Sequence, residues 1–383
     1  MLQRLAEERF DLAVVGAGIV GLATALAAAR RGLHVIVIDR DPQANGASVR
    51  NFGFVTVTGQ ERQQMWPRAR LSCETWREIA AAAAIPILQR GAWLIARRRE
   101  SVALLEAFMA TDMAADCRLL SAADVRRRCP QLTAPGLMAV LESTVELRVE
   151  SREAVPRFAA WLGARHGVTF ARGTAVRAVA VPAVHTSNGV IAADRVVVCP
   201  GDDFSNLYAE RLQAYTLTRC QLQMLRLASP GFVLPATLLS DLSLARYAGF
   251  ADLDAIGPLK ARLALEQAEH LRHGVHLIVA QSADGSLVVG DSHRYAPVPD
   301  SITRLDVEEL IVDEFRRALG IEPPPIIDRW LGTYASASDR PLLIDAPEPA
   351  VRIAIVTCGS GASTCFAIGE ELVASLLDST ATA

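Results

Sequence analysis

The segment 11–39 contains the clearest candidate for a ligand-binding site. Its glycines and one acidic residue have the spacing of a dinucleotide-binding unit. An apolar segment, residues 11–15, leads into Gly16-Ala17-Gly18-Ile19-Val20-Gly21, and an Ala- and Leu-rich helical segment follows. Gly16 predicts a tight turn, Gly18 a close backbone approach to a pyrophosphate, and Gly21 close packing of helix on strand. The N-terminus of that helix offers N–H groups and a positive dipole end to phosphates.

Asp39 completes this unit. It stands at the end of a second apolar segment, residues 33–38, about 20 residues after the glycines, where such an acid accepts hydrogen bonds from a ribose hydroxyl. A glycine-rich turn that arises by chance would not bring strand, helix, strand and acid into register. The sequence therefore predicts a βαβ dinucleotide site near the N-terminus.

Composition narrows the remaining classes of function. The chain has 383 residues, 51% of them hydrophobic and 21% charged, as in ordinary globular proteins, and its net charge of −3 argues against binding to nucleic acid. Seven cysteines are scattered without metal-like spacing, so we expect reduced thiols and no metal site. The runs Arg97-Arg98-Arg99 and Arg126-Arg127-Arg128 are expected to lie on solvated helix faces.

The apolar stretch at residues 12–29 does not resemble a signal peptide, because it contains the glycine motif and lacks a basic segment and a cleavage site. No other run approaches the roughly 18 apolar residues that a membrane span needs. We therefore expect a cytoplasmic protein without a membrane span, and the sequence leaves the oligomeric state open.

Elements further along the chain must position the rest of the site. Helical patterns cover roughly residues 61–84, 100–116, 151–166 and 257–273, and strand patterns cover 175–181, 193–198, 215–227 and 275–293. Near the C-terminus an apolar strand, residues 351–356, meets a glycine-rich loop, and a helix runs from there to about residue 377. These patterns predict a mixed α/β fold, with a discontinuous Rossmann-like cofactor domain and an inserted antiparallel-sheet domain.

Nearly the whole chain resembles the FAD-dependent oxidoreductases of the D-amino-acid oxidase, glycine oxidase and sarcosine oxidase superfamily. Gly46-Ala47-Ser48-Val49-Arg50-Asn51-Phe52-Gly53 resembles the family's loop beneath the flavin, and Gly359-Ser360-Gly361-Ala362-Ser363-Thr364 resembles the loop under the flavin pyrimidine ring. Val176 matches a backbone contact to adenine, and Cys199-Pro200-Gly201 follows the last strand of the cofactor sheet. The resemblance implies an FAD-binding domain at residues 1–84, 150–210 and 326–383, and a substrate-binding domain at residues 85–149 and 211–325.

The implied cofactor-binding residues lie in these motifs and next to them. They are Gly16, Ala17, Gly18, Ile19, Val20, Gly21, Asp39, Arg40, Ala47, Ser48, Arg50, Asn51, Phe52, Gly53, Val176, Cys199, Pro200, Gly201, Gly332, Gly359, Gly361, Ala362, Ser363 and Thr364. Covalently flavinylated relatives have a cysteine in the segment that matches Gly332-Thr333-Tyr334, and this chain has none there. Non-covalent FAD is therefore expected.

Several short sequence motifs resemble those of a narrower group, the FAD oxidoreductases associated with aminophosphonate catabolism. They are Arg50-Asn51-Phe52-Gly53, Arg246-Tyr247, Gly290-Asp291-Ser292-His293 and Arg329-Trp330-Leu331-Gly332-Thr333-Tyr334. The lysine that binds a substrate carboxylate in the wider family falls at about Cys365, and the lysine that promotes oxygen reduction falls near Val288. Both departures put amino-acid specificity and the electron acceptor in doubt.

The resemblance implies oxidation of a small amine that bears an anionic group, with O2 or another compound as electron acceptor. Hydride would pass from the α C–H to flavin N5, and the resulting imine would hydrolyse to an aldehyde or oxo acid plus amine or ammonia. The candidates for the substrate pocket are Arg246, Tyr247, His293 and Tyr334, with Arg329 a weaker one, and no histidine pair is expected to act as base. His34, His166, His185 and His270 are expected to lie in surface-like contexts and receive no role.

The favoured substrate is an aminophosphonate of the 2-aminoethylphosphonate type. The alternatives are a glycine, sarcosine or D-amino-acid oxidase, and a flavin dehydrogenase that passes electrons to a quinone or a carrier protein. A non-catalytic nucleotide-binding module would explain the first 40 residues but not the loops at 46–53 and 359–364.

Overall fold

The structure is a computed structural model that describes the backbone of residues 8–381 and the side chains of residues 8–378. Its strands are β1 (Arg9–Phe10), β2 (Leu12–Val15), β3 (Val35–Ile38), β4 (Phe54–Val55), β5 (Ile87–Ala96), β6 (Cys117–Ser121), β7 (Ala139–Val149), β8 (Thr169–Ala171), β9 (Val176–Ala180), β10 (Ala183–Thr186), β11 (Gly189–Ala193), β12 (Val196–Val198), β13 (Thr218–Leu227), β14 (Thr237–Leu239), β15 (Ile278–Gln281), β16 (Leu287–Gly290), β17 (Arg294–Ala296), β18 (Ile326–Ser336), β19 (Leu342–Glu348) and β20 (Val351–Val356).

The α-helices pack on the sheets and connect them. They are α1 (Ile19–Arg30), α2 (Met65–Ala82), α3 (Arg99–Met109), α4 (Ala122–Arg128), α5 (Ser151–His166), α6 (Ala209–Leu212), α7 (Asp241–Arg246), α8 (Ile256–Glu266), α9 (Ala268–Arg272), α10 (Leu305–Leu319) and α11 (Gly361–Ala381).

A six-stranded sheet of order β19-β20-β12-β2-β3-β8 forms the cofactor side of the fold. All neighbouring pairs are parallel except β19 with β20. Strands β2 and β3 are almost wholly apolar and buried, as a sheet covered on both faces requires. The predicted βαβ unit is confirmed, and β20 brings the C-terminal glycine loop to the same sheet.

Helices α1 and α11 pack closely against each other, because small residues face each other at their contact. A Cβ at Gly369 would lie 2.8 Å from the backbone of Ala23. Next to this contact, Phe366 of α11 packs on Trp76 of α2 and Phe158 of α5, with ring centroids 5.4 and 5.6 Å apart. The predicted helix at 151–166 is confirmed, and the predicted C-terminal helix begins at Gly361.

The second large sheet contains ten strands, with the path β17-β13-β16-β15-β14-β5-β7-β4 and with β18 and β6 paired to β13 and β7. Most of its pairs are antiparallel, and a smaller sheet of order β1-β11-β10-β9 lies beside the cofactor sheet. The predicted mixed α/β class is confirmed. The division into two discontinuous domains stays a prediction. Strand β18, which that division placed in the FAD-binding part, is hydrogen-bonded along its length to β13.

Two predicted helices are shorter than the sequence pattern indicated. The segment at 100–116 ends its α-helix at Met109, because the chain turns to form β6. The segment at 257–273 breaks at Gln267, whose φ of −137° is not helical. The Gln267 side chain accepts a hydrogen bond from Arg98 at 2.7 Å and donates one to Glu314 at 2.6 Å, so a buried polar contact stabilises the break.

Candidate functional site

The glycines of residues 16–21, here called the phosphate loop, are required by close backbone contacts. Gly16 has φ +106°, and a Cβ there would lie 2.4 Å from the carbonyl oxygen of Cys199. A Cβ at Gly21 would lie 1.9 Å from the carbonyl oxygen of Gly16. Helix α1 then begins with Gly18 as its N-cap and no side-chain cap. A turn this tight, open at a helix N-terminus, fits a diphosphate.

Asp39 follows β3 and faces the phosphate loop. Its Oδ2 accepts a hydrogen bond from the backbone N–H of Ala17 at 2.6 Å, and its Oδ1 accepts one from Asp41 at 2.8 Å. The carboxylate therefore holds the loop in place and also lines the cavity beside it. On the other side, the Ser48 hydroxyl accepts a hydrogen bond from the N–H of Ile19 at 3.0 Å, which connects the loop at 46–53 to the helix N-terminus.

A cavity of about 1130 Å³ runs from the phosphate loop to the ten-stranded sheet. Most of the predicted cofactor residues line it: Gly16, Gly18, Ile19, Val20, Gly21, Asp39, Arg40, Ala47, Ser48, Arg50, Asn51, Phe52, Val176, Cys199, Pro200, Gly201, Gly332, Gly359, Gly361, Ala362 and Ser363. Three do not. Ala17 binds Asp39, Gly53 lies against the carbonyl of Val149, and Thr364 is buried with its hydroxyl donating to Ser360.

The C-terminal glycine loop closes the middle of the cavity. The Tyr334 ring lies against it, since a Cβ at Gly359 would be 3.1 Å from Cζ of that ring. The hydroxyl of Ser363 accepts a hydrogen bond from the N–H of Thr56 at 2.9 Å. These contacts bring β18, the loop and the segment after β4 together around one space.

At the far end of the cavity, Arg246 extends from the last turn of α7. It is exposed, and the cavity is the space it faces. Its guanidinium donates a hydrogen bond to the Tyr295 hydroxyl at 3.0 Å, and it forms no ion pair with any residue whose side chain the structure describes. Burial raises the pKa of Tyr247 and that of Tyr334 well above the usual range, so both phenols stay protonated and can donate. This end of the cavity suits an anion.

Two histidines and one aspartate meet beside Arg246 and are here called the His–Asp–His cluster: His276, Asp291 and His293. The rings of His276 and His293 stack with centroids 5.0 Å apart, and both line the cavity. Their Nε2 atoms lie 3.0 and 3.8 Å from the two oxygens of Asp291. The structure therefore brings a second histidine, His276, next to the predicted pocket residue His293. That no histidine pair acts as base stays a prediction.

The charges in this cluster follow from burial and proximity. Burial lowers the pKa of His293 to about 3, which leaves its ring neutral near pH 7. Burial alone would raise the pKa of Asp291, but the neighbouring imidazoles of His293 and His276 and the guanidinium of Arg246 lower it below its ordinary value. Asp291 is thus an ionised carboxylate almost completely shielded from solvent.

Of the predicted pocket residues, Arg246, Tyr247, His293 and Tyr334 all line the cavity. Arg329 does not, because it pairs with Glu308 at 2.6 and 2.8 Å on the outside of β18.

Neither position that corresponds to a family lysine lies in the cavity wall. Cys365 is fully buried in α11, and Val288 is buried in the apolar core. The environment expected for His270 was also wrong, since that ring is buried and its Nε2 lies 3.2 Å from Asp313.

The first arginine run was likewise assigned to the wrong environment. Arg98 is buried, and it donates to Asp241 at 2.5 Å and to Glu266 at 2.8 Å. Only Arg99 of that run is exposed. The second run is closer to the expected solvated face, although its last member, Arg128, pairs with the buried Glu142.

Sequence reasoning missed three residues of the site: His276, Asp291 and Tyr295. Asp291 belongs to the Gly290–His293 motif and Tyr295 lies two residues after it, but neither was assigned a role. His276 is placed by the backbone, since its N–H donates to the carbonyl of Asp291 at 3.1 Å and the reverse bond is 2.9 Å. Pairing the two halves of the strand pattern at 275–293 would have shown His276 opposite Asp291.

Comparison with known proteins agrees with this fold. The chain is similar in fold to glycine oxidase from Bacillus cereus, at 15% identity and TM-score 0.77, over 97% of this chain and 95% of that one. It is also similar to L-amino acid deaminase from Proteus vulgaris, at 17% identity and TM-score 0.74, over 97% and 94% of the two chains. L-α-glycerophosphate oxidase from Mycoplasma pneumoniae, solved with FAD bound, matches at 16% identity and TM-score 0.74, over 97% and 95%. Identities this low establish the fold alone.

Over a short segment the chain also matches a curated protein, 3-oxosteroid 1-dehydrogenase from Mycobacterium tuberculosis. The two are 39% identical over 54 residues, which is 14% of this chain and 10% of the length of that relative. No helix within residues 8–381 is both long and apolar enough to cross a membrane.

The decisive match is to a family rather than to one protein. Residues 11–375 match the DAO family, described as FAD dependent oxidoreductase, and this range includes the phosphate loop, the cavity and the C-terminal glycine loop. The chain belongs to the DAO family of FAD-dependent oxidoreductases.

Proposed function

We propose that this protein oxidises a small amine that carries an anionic group, and that the anion is a phosphonate of the 2-aminoethylphosphonate type. The observation that carries the proposal is Arg246. It is a cation that faces the cavity and forms no ion pair with a described side chain, in the same space that begins at the phosphate loop. A cation in the wall of a cavity attracts an anionic ligand.

FAD fits the other end of the cavity. The phosphate loop and the N-terminus of α1 would hold its diphosphate, Asp39 a ribose hydroxyl, and the backbone near Val176 the adenine. The loops at 46–53 and 359–364 would enclose the flavin ring. The bound FAD supplies a two-electron acceptor, and this chain's residues bind and orient the substrate beside it and exclude water.

The chemistry of the pocket favours a phosphonate over a carboxylate. A phosphonate has three acceptor oxygens and up to two negative charges, which suits a guanidinium fork assisted by several donors. Arg246 supplies the fork, and the protonated phenols of Tyr247 and Tyr334 are the nearby donors. Cys365, at the position of the family's carboxylate-binding lysine, is buried away from the cavity and offers no cation.

The protein supports this oxidation by positioning. With the anion on Arg246, the amine end of a two-carbon substrate would lie along the cavity toward the Tyr334 ring and the C-terminal glycine loop. The ring of His293 is neutral and forms part of the cavity wall. Loss of a hydride, that is two electrons and one proton, from the neutral amine yields a protonated imine. Water then converts it to an aldehyde and ammonium, or to the protonated amine where the substrate is N-alkylated.

Anaerobic bleaching of the bound flavin tests the proposal. We expect 2-aminoethylphosphonate or its N-methylated or hydroxylated relatives to reduce the flavin faster than glycine, sarcosine or D-alanine do. Faster reduction by sarcosine or a D-amino acid would contradict the phosphonate and indicate that the anionic group of the substrate is a carboxylate. Comparing O2 consumption with quinone or dye reduction then separates an oxidase from a dehydrogenase.

A further inference from the structure

The His–Asp–His cluster contains three electron-rich atoms that face one another. His276 and Asp291 are held opposite each other by two reciprocal backbone hydrogen bonds of 3.1 and 2.9 Å. The N–H of His293 is bound to the carbonyl of His273 at 3.0 Å. All three side chains are buried, and one potential ligand atom from each lies within 4.8 Å of the others. The backbone therefore positions this cluster before any ligand arrives.

In each histidine ring, the hydrogen-bond partner of Nδ1 determines whether Nε2, which faces Asp291, carries a proton or a lone pair. Nδ1 of His293 lies 2.9 Å from the carbonyl oxygen of Gly274, which only accepts, so Nδ1 carries the proton and Nε2 carries a lone pair. Nδ1 of His276 lies 3.1 Å from the Ser243 hydroxyl. That hydroxyl also lies 3.1 Å from the carbonyl oxygen of Leu277. When it donates its one hydrogen to this carbonyl, Nδ1 of His276 donates to the hydroxyl and Nε2 carries the lone pair.

In this arrangement of neutral rings, both Nε2 lone pairs face the Asp291 carboxylate. Oδ1 of Asp291 is buried, and Nε2 of His276, 3.0 Å away, then gives it no hydrogen bond. Three electron-rich atoms in a space shielded from water repel one another unless a cation lies between them.

We propose that the His–Asp–His cluster binds a divalent transition metal ion of the Zn²⁺ type. Two imidazole nitrogens and one carboxylate oxygen are typical ligands of such ions. Metal–ligand bonds of about 2.0–2.2 Å place two ligands of a tetrahedral ion roughly 3.3–3.6 Å apart. The Nε2 atoms of His276 and His293 lie 3.0 and 3.8 Å from Oδ1 and Oδ2 of Asp291, which differ from that range by a few tenths of an ångström. The contacts to Gly274 and Ser243 are the outer hydrogen bonds that orient metal-bound imidazoles in known sites.

The position of the cluster gives such an ion access to ligands. His276 and His293 form part of the cavity wall, so coordination positions would remain open toward the cavity. Water or an anionic group in the cavity could fill them, next to the guanidinium of Arg246. The proposal concerns this chain's own residues and does not depend on the identity of the amine substrate.

Calorimetric titration of the chelator-treated flavoprotein with Zn²⁺, without substrate, tests the site. We expect the wild-type protein to bind one Zn²⁺ ion per chain at this cluster. In His293→Ala and in Asp291→Asn this ion should no longer bind, or its affinity should fall at least about tenfold. His270→Ala is the matched control, because His270 is also buried beside an aspartate, Asp313, but lies outside the cavity. The cysteines remain in every variant, so zinc bound by thiols is a common background.

Absence of this ion, or equal binding by His293→Ala and the wild type, would overturn the proposal and leave a proton as the cation in the cluster. If the variants fail to fold, as judged by circular dichroism, the wild-type protein still decides the question. X-ray absorption at the zinc edge should then show nitrogen and oxygen ligands, including two imidazoles, and a shell dominated by sulfur would contradict the site. A negative result would not affect the proposed amine oxidation, which flavin bleaching measures separately.

Discussion

Arg246 lies where one end of a short helix meets the cavity. It is the last residue of a six-residue helix, it donates a hydrogen bond to the Tyr295 hydroxyl, and it faces the cavity without an ion pair to a described side chain. A substrate anion bound there would form a charge pair shielded from bulk water. The proposed specificity for an anionic amine depends on this one guanidinium.

We expect Arg246→Ala to lower kcat/KM for the phosphonate substrate roughly 30- to 1000-fold, or about 2–4 kcal/mol, because it removes one partner of a desolvated charge pair. A neutral amine without the anionic tail should lose little. Steady-state kinetics with both amines measures the difference. Arg329→Ala is the matched control, since Arg329 pairs with Glu308 outside the cavity and should leave both amines unaffected. Equal losses for charged and neutral amines in Arg246→Ala would show that Arg246 does not bind the anion.

Gly21 has an equally local effect on cofactor binding. A Cβ there would lie 1.9 Å from the carbonyl oxygen of Gly16, so Gly21→Ala must displace the turn that faces the diphosphate. We expect FAD affinity to fall at least about tenfold, measured by flavin fluorescence on reconstitution of the apoprotein, since a shifted loop misaligns several phosphate contacts. Gly257→Ala is the control, because Gly257 lies in α8 outside the cavity with nothing within 4 Å of an added Cβ, so this variant should bind FAD normally. Normal binding by Gly21→Ala would contradict the role of this contact.

At the scale of elements, helix α7 connects the buried core with the site. Its first residue, Asp241, is fully buried and receives hydrogen bonds from the backbone N–H of Arg97 at 3.1 Å and from the Arg98 guanidinium at 2.5 Å. Its last residue, Arg246, faces the cavity. The ion pair at one end of the helix therefore determines where the guanidinium at the other end lies.

We expect Arg98→Ala to cost about 3–5 kcal/mol of unfolding free energy, because it leaves the Asp241 carboxylate buried without its cation. Burial raises the pKa of Asp241, partly offset by Arg97 and Arg98, and loss of Arg98 raises this pKa further. A folded state with a raised carboxyl pKa binds the proton more tightly, so its stability falls as pH rises above the ordinary aspartate value. Denaturant melts should thus show a larger deficit at pH 8 than at pH 5.

Arg99→Ala is the control for this experiment, since the neighbouring Arg99 is exposed and should change stability by less than about 0.5 kcal/mol. A deficit in Arg98→Ala that does not vary with pH would mean that Asp241 does not carry the buried charge.

At the scale of the whole molecule, the cavity is built from segments that are far apart in the chain. The phosphate loop, the loop at 46–53, strand β18 and the C-terminal glycine loop all line one space, and the sheets that carry them are joined by long-range contacts. Cofactor binding and folding should therefore be coupled, since only the folded chain assembles the site.

We expect the flavin to be released when the protein unfolds in acid or heat. The Gly332–Tyr334 segment of β18 carries no cysteine, and burial raises the pKa of Cys199 to about 12, which keeps that cavity thiol protonated and unreactive. Precipitation followed by absorbance of the supernatant measures release. Flavin that stays with the pellet would indicate a covalent bond, and Cys358→Ser, which removes the exposed cavity cysteine, would show whether Cys358 forms it.

The sequence by itself determined those parts of the fold and site that depend on local pattern. Glycine spacing, an apolar strand on each side and one acid located the phosphate loop, since turn geometry and backbone contact leave no alternative to glycine at Gly16 and Gly21. The family resemblance extended this to the two flavin loops and to Arg246, Tyr247, His293 and Tyr334, all of which line the cavity.

Tertiary structure alone decided which polar side chains meet. Arg98 and Arg99 are neighbours of the same type, yet one is buried against Asp241 and the other is exposed, because the partner is 143 positions away. Arg329 has the same chemistry as Arg246, but it pairs with Glu308 on the outer side of its strand. His276 and His293 join around Asp291 only through the pairing of two chain segments. Periodicity reports how buried a face is, whereas charge partners and ligand clusters depend on long-range contacts that no local pattern contains.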